Sequence, residues 1–276
     1  MKTSLITIRP KIADKKNNLQ KMQNYIQKTK SDMYIFGELN LTGYQIKDEF
    51  RDLAEKANGP SIKTMKTTAK KHNCYIVFGM PIKDDKVEGL IHNSSVMIHP
   101  SGKTDIYNKW FMPTFGPFEE KIYYDEGESL TLCKTKFGKI GLTICYDIFF
   151  PELSRAYAML GADMIINISA TPNISKKYFE TLIPARAVEN TIFYTFVNIV
   201  GTQENLVFWG GSQISDPLAK QIIKAPYYKE SIVTCEIDLE QIKTARANRP
   251  VLRDIRPEIY NDLYTISRTH KKPTKK

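Results

Sequence analysis

Apolar positions along this 276-residue chain alternate between two periods. Short runs rich in β-branched and aromatic residues, "SLITIRP" (4–10), "DMYIFGE" (32–38) and "CYIVFGMPI" (74–82), have the length and make-up of buried strands. Between them, Leu19, Met22 and Ile26 share one face of a helix predicted over residues 15–30. Ile62, Met65 and Ala69 mark a second helix that closes near His72 and Asn73. "NSSVMIHPSGKTDIYNK" (93–109) reads as a hairpin whose Pro-Ser-Gly turn returns the chain to Lys109. Farther on, "KIGLTICYD" (139–147) and "ADMIINIS" (162–169) are strands on either side of a helix carrying Leu153, Tyr157 and Leu160. Residues 176–192 read as helical despite Pro184, and "FYTFVNIVG", "WGGSQISDP" and "SIVTCEIDL" as further strands. No repeat, linker or shift in composition breaks this order before about residue 265. The pattern predicts one α/β domain over residues 1–265, with a mixed sheet system and helices packed outside it, and a basic, disordered tail over 266–276.

Composition narrows the picture. A content of 42% hydrophobic and 25% charged residues is ordinary for a globular domain with a sizeable core. Of the formal net charge of +10, five positive charges (Arg268, Lys271, Lys272, Lys275 and Lys276) lie in "SRTHKKPTKK". The body is therefore only mildly basic, and contact with nucleic acid or an anionic membrane is an option of the tail alone. The apolar run ahead of Arg9 and Pro10 is too short for the core of a signal peptide, and no run is long enough to span a bilayer. Cys74, Cys133, Cys145 and Cys235 are too scattered for a zinc site or a disulfide framework. A cytoplasmic protein with no metal or other cofactor is the expectation.

Three strand ends carry reactive side chains: Glu38, Lys109 and Cys145. Each also has an ordinary reading, as a solvated carboxylate, a surface cation and a small buried hydrophobe. Cys145 stands where an apolar run ends and a helix begins at Pro151, a junction that can expose a thiol to helix amides favouring its thiolate. The strings "GELNLTGY" (37–44), "YNKWFMP" (107–113) and "ICYDIFFPELSR" (144–155) together resemble the nitrilase superfamily of carbon–nitrogen hydrolases. "FEEKIYYDEGE" (118–128), "NISATP" (167–172), "ARAVEN" (185–190) and "GGSQISDP" (210–217) extend the resemblance over about residues 3–240. Three positions depart from the usual pattern: Gly37 replaces a proline, Trp110 a histidine and Phe149 an arginine.

The resemblance implies a four-layer αββα sandwich and a Glu-Lys-Cys triad. Glu38 would be the base, Lys109 and the backbone N–H of Tyr146 the oxyanion partners, Cys145 the nucleophile and Glu120 an orienting carboxylate. Tyr44 and Phe149 fall among the substrate-binding positions. It further implies hydrolysis of a small linear amide or N-carbamoyl compound, and a homodimer or larger homo-oligomer. A nitrile-cleaving enzyme and a catalytically silent binding module remain the alternatives. A Cys-His enzyme has little support: His99 and His270 read as surface residues, His72 closes a helix, and only His92 lacks an evident place. No histidine spacing suits a metal.

Overall fold

The computed structural model describes residues 1–270. The first half of the chain contains β1 (Lys2–Thr7), α1 (Lys15–Lys28), β2 (Met33–Ile35), α2 (Phe50–Leu53), α3 (Pro60–His72), β3 (Tyr75–Lys83), β4 (Ile91–Ile98) and β5 (Thr104–Asn108). The second begins with α4 (Glu120–Tyr123), β6 (Leu132–Lys134), β7 (Lys139–Ile144), α5 (Pro151–Met159), β8 (Met164–Ser169), α6 (Lys176–Asn190) and β9 (Phe193–Asn198). It continues with β10 (Val200–Gln203), β11 (Leu206–Trp209), β12 (Gln213–Ser215), β13 (Gln221–Lys224), β14 (Ser231–Glu236), α7 (Gln241–Asn248) and α8 (Pro257–His270).

Two six-stranded sheets result, in the orders β14-β1-β2-β3-β4-β5 and β13-β12-β9-β8-β7-β6, with β10 and β11 as a separate hairpin. Each sheet is a parallel trio with one antiparallel strand on one side and two on the other. The connections match as well: β1-α1-β2-α3-β3-β4-β5 follows the same course as β7-α5-β8-α6-β9-β12-β13. The fold is thus a topological duplication, although the sequence shows no repeat.

Side-chain alternation along the strands makes the layers. Ile6, Tyr34, Phe36, Ile76 and Phe78 pack with Met22 and Ile26 of α1 and Ile62, Met65 and Ala69 of α3. Their neighbours Leu5, Met33, Ile35 and Val77 point the other way, into one core with Ile140, Leu142 and Ile144 of β7. Tyr157, Phe179 and Ile183 of α5 and α6 cover the second sheet. The order helix, sheet, sheet, helix is the sandwich expected.

Several boundaries differ from the sequence reading. "WGGSQISDP" divides between β11 and β12 because Gly210 and Gly211 adopt φ of +69° and +63°, a left-handed turn that a glycine enters without strain. "FYTFVNIVG" likewise divides into β9 and β10 at Ile199. The boundary at residue 265 falls inside α8, so residues 266–270 are helical rather than a disordered tail. Ile259, Leu263 and Ile266 of α8 are about half exposed. Residues 271–276, with most of the basic cluster, lie outside the described residues. Among the described residues no helix is long and apolar enough to cross a membrane.

Candidate active site

Cys145 follows β7 directly and opens a 3₁₀ turn, Cys145–Phe149, that leads into α5 at Pro151. Its φ of +45° is a left-handed conformation on a residue that carries a Cβ, costing about 1–3 kcal/mol that the surroundings must offset. Asp147 supplies part of that offset. Its carboxyl accepts from Ile144 N at 2.9 Å, from the Tyr107 hydroxyl at 2.7 Å and from Phe111 N at 3.1 Å. The last bond ties the segment after Lys109 to the Cys145 turn. Burial pushes the Asp147 carboxyl up to about 6, against the Lys109 charge and these donors. The turn does not expose the thiol, as its place in the sequence suggested. Cys145 is 6% exposed, and burial, reinforced by the Glu38 carboxylate and opposed by Lys109, holds its thiol well above the usual range. At rest it is a neutral S–H.

Glu38 and Lys109 are fully buried and Glu120 nearly so. Lys109 Nζ lies 2.8 Å from Glu38 Oε1 and 2.8 and 2.7 Å from the two oxygens of Glu120, which use all three ammonium hydrogens. Burial works against this charge, but Glu120 and Glu38 outweigh it and hold the ammonium above the ordinary lysine range. With both carboxylates ionised, the two of them around one cation leave a net charge of about −1. Glu38 also accepts from Asn93 Nδ2 on Oε1 and from Ala170 N on Oε2, both at 2.7 Å. Gly37 has a packing reason: a Cβ there would lie 2.6 Å from Ile199 Cγ2 and 3.1 Å from Ser169 O. Leaving that space empty lets the turn carrying Glu38 press against β8.

A cavity of about 180 Å³ reaches Cys145, lined by Phe115, Phe118, Tyr146, Phe149, Tyr178 and Phe179 among others. Tyr146 and Phe149 therefore stand beside Cys145. Tyr44 does not share this pocket. Its hydroxyl donates to Glu120 Oε1 at 2.8 Å, and it lines a separate, polar cavity that Glu120 also lines. Trp110 turns away, donating from Nε1 to Ser129 O, so of the two bulky departures only Phe149 reshapes the pocket. The sequence reading missed Asn93, the N–H of Ala170, Asp147 and Thr171, whose hydroxyl is 3.4 Å from Cys145 Sγ. One signal existed: β4 is buried at every position, so Asn93, Ser94 and Ser95 in its middle are polar groups that need internal partners.

His92 and His99 take partners outside this cluster. His99 is not a surface residue: it is 6% exposed, 2.7 Å from Asp105, with its ring against Tyr75. His92 is also buried, with Nδ1 on Asp125 O. The His270 side chain lies outside the described residues. Among the described residues, no group of three or more His, Cys, Asp or Glu could hold a metal ion.

Known proteins agree with this architecture. A carbon-nitrogen hydrolase family model matches residues 2–247. A Schizosaccharomyces pombe protein named as a probable nitrilase is 33% identical, over 94% of this chain and 96% of its own length. A Pseudomonas (R)-stereoselective amidase is 31% identical, over 93% of this chain and 92% of its own. The crystal structure of a carbon-nitrogen hydrolase from Helicobacter pylori superposes with a TM-score of 0.87 at 27% identity, covering 95% of this chain and 97% of that one. Two sheets between helices, with a buried Glu-Lys cluster and a cysteine at a left-handed turn, are this chain's form of a shared fold, and the chain belongs to the carbon-nitrogen hydrolases, enzymes of the nitrilase superfamily that act on C–N bonds.

Proposed function

We propose that the protein hydrolyses a small linear amide or N-carbamoyl compound through a thioester on Cys145, releasing ammonia. The observation that carries this reading is the dry Glu38–Lys109–Glu120 cluster beside a strained cysteine. A neutral buried thiol needs a base at the moment of attack. Glu38 takes the proton as Sγ bonds the carbonyl carbon, so the negative charge moves toward the substrate while the net charge stays the same. Protonation weakens the hold of Glu38 on Lys109 and frees one ammonium N–H for the new oxyanion, which the N–H of Tyr146 also meets. The C–N bond breaks, and the proton on Glu38 leaves with the nitrogen as ammonia. Water then attacks the thioester, its proton passing to Glu38 and back to sulfur as the acid departs.

An amide leaving group can accept the proton that Glu38 carries, whereas a nitrile must first take up water. Primary amides should therefore turn over faster than matched nitriles in an ammonia-release assay, with an acyl adduct on Cys145 in the mass spectrum of a slow reaction. An adduct on Cys74, Cys133 or Cys235 would remove the assignment, and faster nitriles would make the enzyme a nitrilase with the same triad.

Glu120 supplies a pH test. Burial, with the Glu38 charge adding and Lys109 opposing, pushes its carboxyl up to about 7. If Glu120 holds Lys109 as a carboxylate, kcat/KM should rise with pH through about 7, and Glu120→Gln should abolish that limb and lower the plateau roughly tenfold or more. Stability should move in the opposite sense. The folded pKa lies above the ordinary 4.5, so this group's contribution is full below about 4.5 and declines as pH rises toward 7. A limb that survives Glu120→Gln would assign it to another group.

Two features belong to the same proposal. A reducing, cytoplasmic setting suits a working thiol, and all four cysteines are free. Pairing with a second copy across α5 and α6 fits the exposure of Met159 (56%) and Leu160 (51%) at the end of α5.

A further inference from the structure

Apart from the Glu38–Lys109–Glu120 cluster that the reaction itself uses, the pocket at Cys145 offers no charged side chain. Its lining residues are Pro113, Phe115, Phe118, Cys145, Tyr146, Phe149, Thr171, Pro172, Ser175, Tyr178 and Phe179, with no Lys, Arg, Asp or Glu among them. Six are aromatic, and their rings form a connected set. Phe115 meets Phe118 edge-on at 5.5 Å and Tyr146 at 5.3 Å. Phe149 is the hub of the rest, 5.3 Å from Tyr146, 5.5 Å from Phe179 and 6.4 Å from Tyr178. Phe115 and Tyr178, 52% and 59% exposed, extend the apolar lining into solvent.

From this lining we infer that the acyl half of the substrate ends in an uncharged single ring, and that Phe149 selects it. The inference rests on the amide-hydrolase reading above and narrows its substrate. Volume sets the size: an apolar cavity of about 150 Å³ takes up benzene, and this one measures about 180 Å³. Chemistry sets the class. A ring can present edges and faces to its aromatic neighbours at the spacings they already adopt among themselves. A terminal carboxylate or ammonium would lose its water without gaining a partner. A cation could still draw on the ring faces, so a cationic substrate belongs in the test.

The experiment compares kcat/KM for four primary amides on the full-length chain: acetamide, phenylacetamide, the half-amide of succinic acid and 4-aminobutanamide. Phenylacetamide should exceed acetamide about tenfold and each charged amide about 100-fold. Phe149→Ala, with Phe149→Leu as a milder second variant, should shrink the ratio of phenylacetamide to acetamide about tenfold, mainly through KM. That ratio is taken within one preparation, so a loss of folded protein cancels. A charged amide that matches phenylacetamide, or a ratio unchanged in both variants, overturns the ring-binding inference alone. Ammonia release from none of the four removes the simple-amide half of the reading above, and this inference with it.

Discussion

Cys145→Ala should abolish ammonia release, by on the order of 10⁴-fold or more, while the protein still folds. Alanine keeps the Cβ and the left-handed backbone, so the turn pinned by Asp147 loses only the sulfur and its contact with Thr171. The expected stability change is therefore small, roughly 1 kcal/mol for one buried atom. Ammonia release and a thermal melt on the same preparation check both halves of the statement. A variant that keeps even a hundredth of the wild-type rate would mean that Cys145 is not the nucleophile. A variant that melts far below the wild type would mean that the thiol is structural.

Glu38→Gln should be nearly as severe for turnover and far worse for the fold. A glutamine has the right shape but the wrong inventory. Both carboxylate oxygens of Glu38 are acceptors: Oε1 faces Lys109 and Asn93, and Oε2 faces the N–H of Ala170. Whichever way the amide is placed, its NH₂ meets a donor. The base is lost and one buried donor is left without a partner, so the rate should fall roughly 10³-fold and stability by about 1–3 kcal/mol. Neither the acyl adduct nor its hydrolysis should then be seen. An adduct that forms at the normal rate and persists would confine Glu38 to the second half-reaction.

The reactive residues were legible because each ends a strongly patterned strand, where a charge or thiol after an apolar run stands out. Their surroundings were not. The N–H of Ala170 reaches Glu38 across 132 residues of sequence, and backbone donors carry no residue signature. Phe149 could be seen as a departure, but not as the hub of a ring of aromatics drawn from three separate segments. His99 misled for a related reason. A Pro-Ser-Gly turn implies surface, yet the Tyr75 ring and Asp105 cover the histidine before the chain reaches that turn. The strands β13 and β14 are half-buried at nearly every position, so they lack a strong alternation, and of the two only β14 reads as a strand from the sequence.

The pairing of β14 with β1 has a consequence for the making of the protein. Register runs from Lys2 opposite Glu236 to Thr7 opposite Ser231, and Ser4 and Thr234, whose hydroxyls meet at 2.7 Å, are 230 residues apart. At a synthesis rate of 5–20 residues per second, β1 leaves the ribosome on the order of ten to fifty seconds before its partner exists. During that interval β1, β2 and β3 can assemble with their helices, but the outer edge of β1 presents bare N–H and C=O groups, a template for another nascent chain. The strand β14 thus acts as a late seal, and a ribosome stalled before Ser231 would release a polypeptide whose first sheet is still open along β1. Such truncated chains should be the ones that chaperones and proteases meet first.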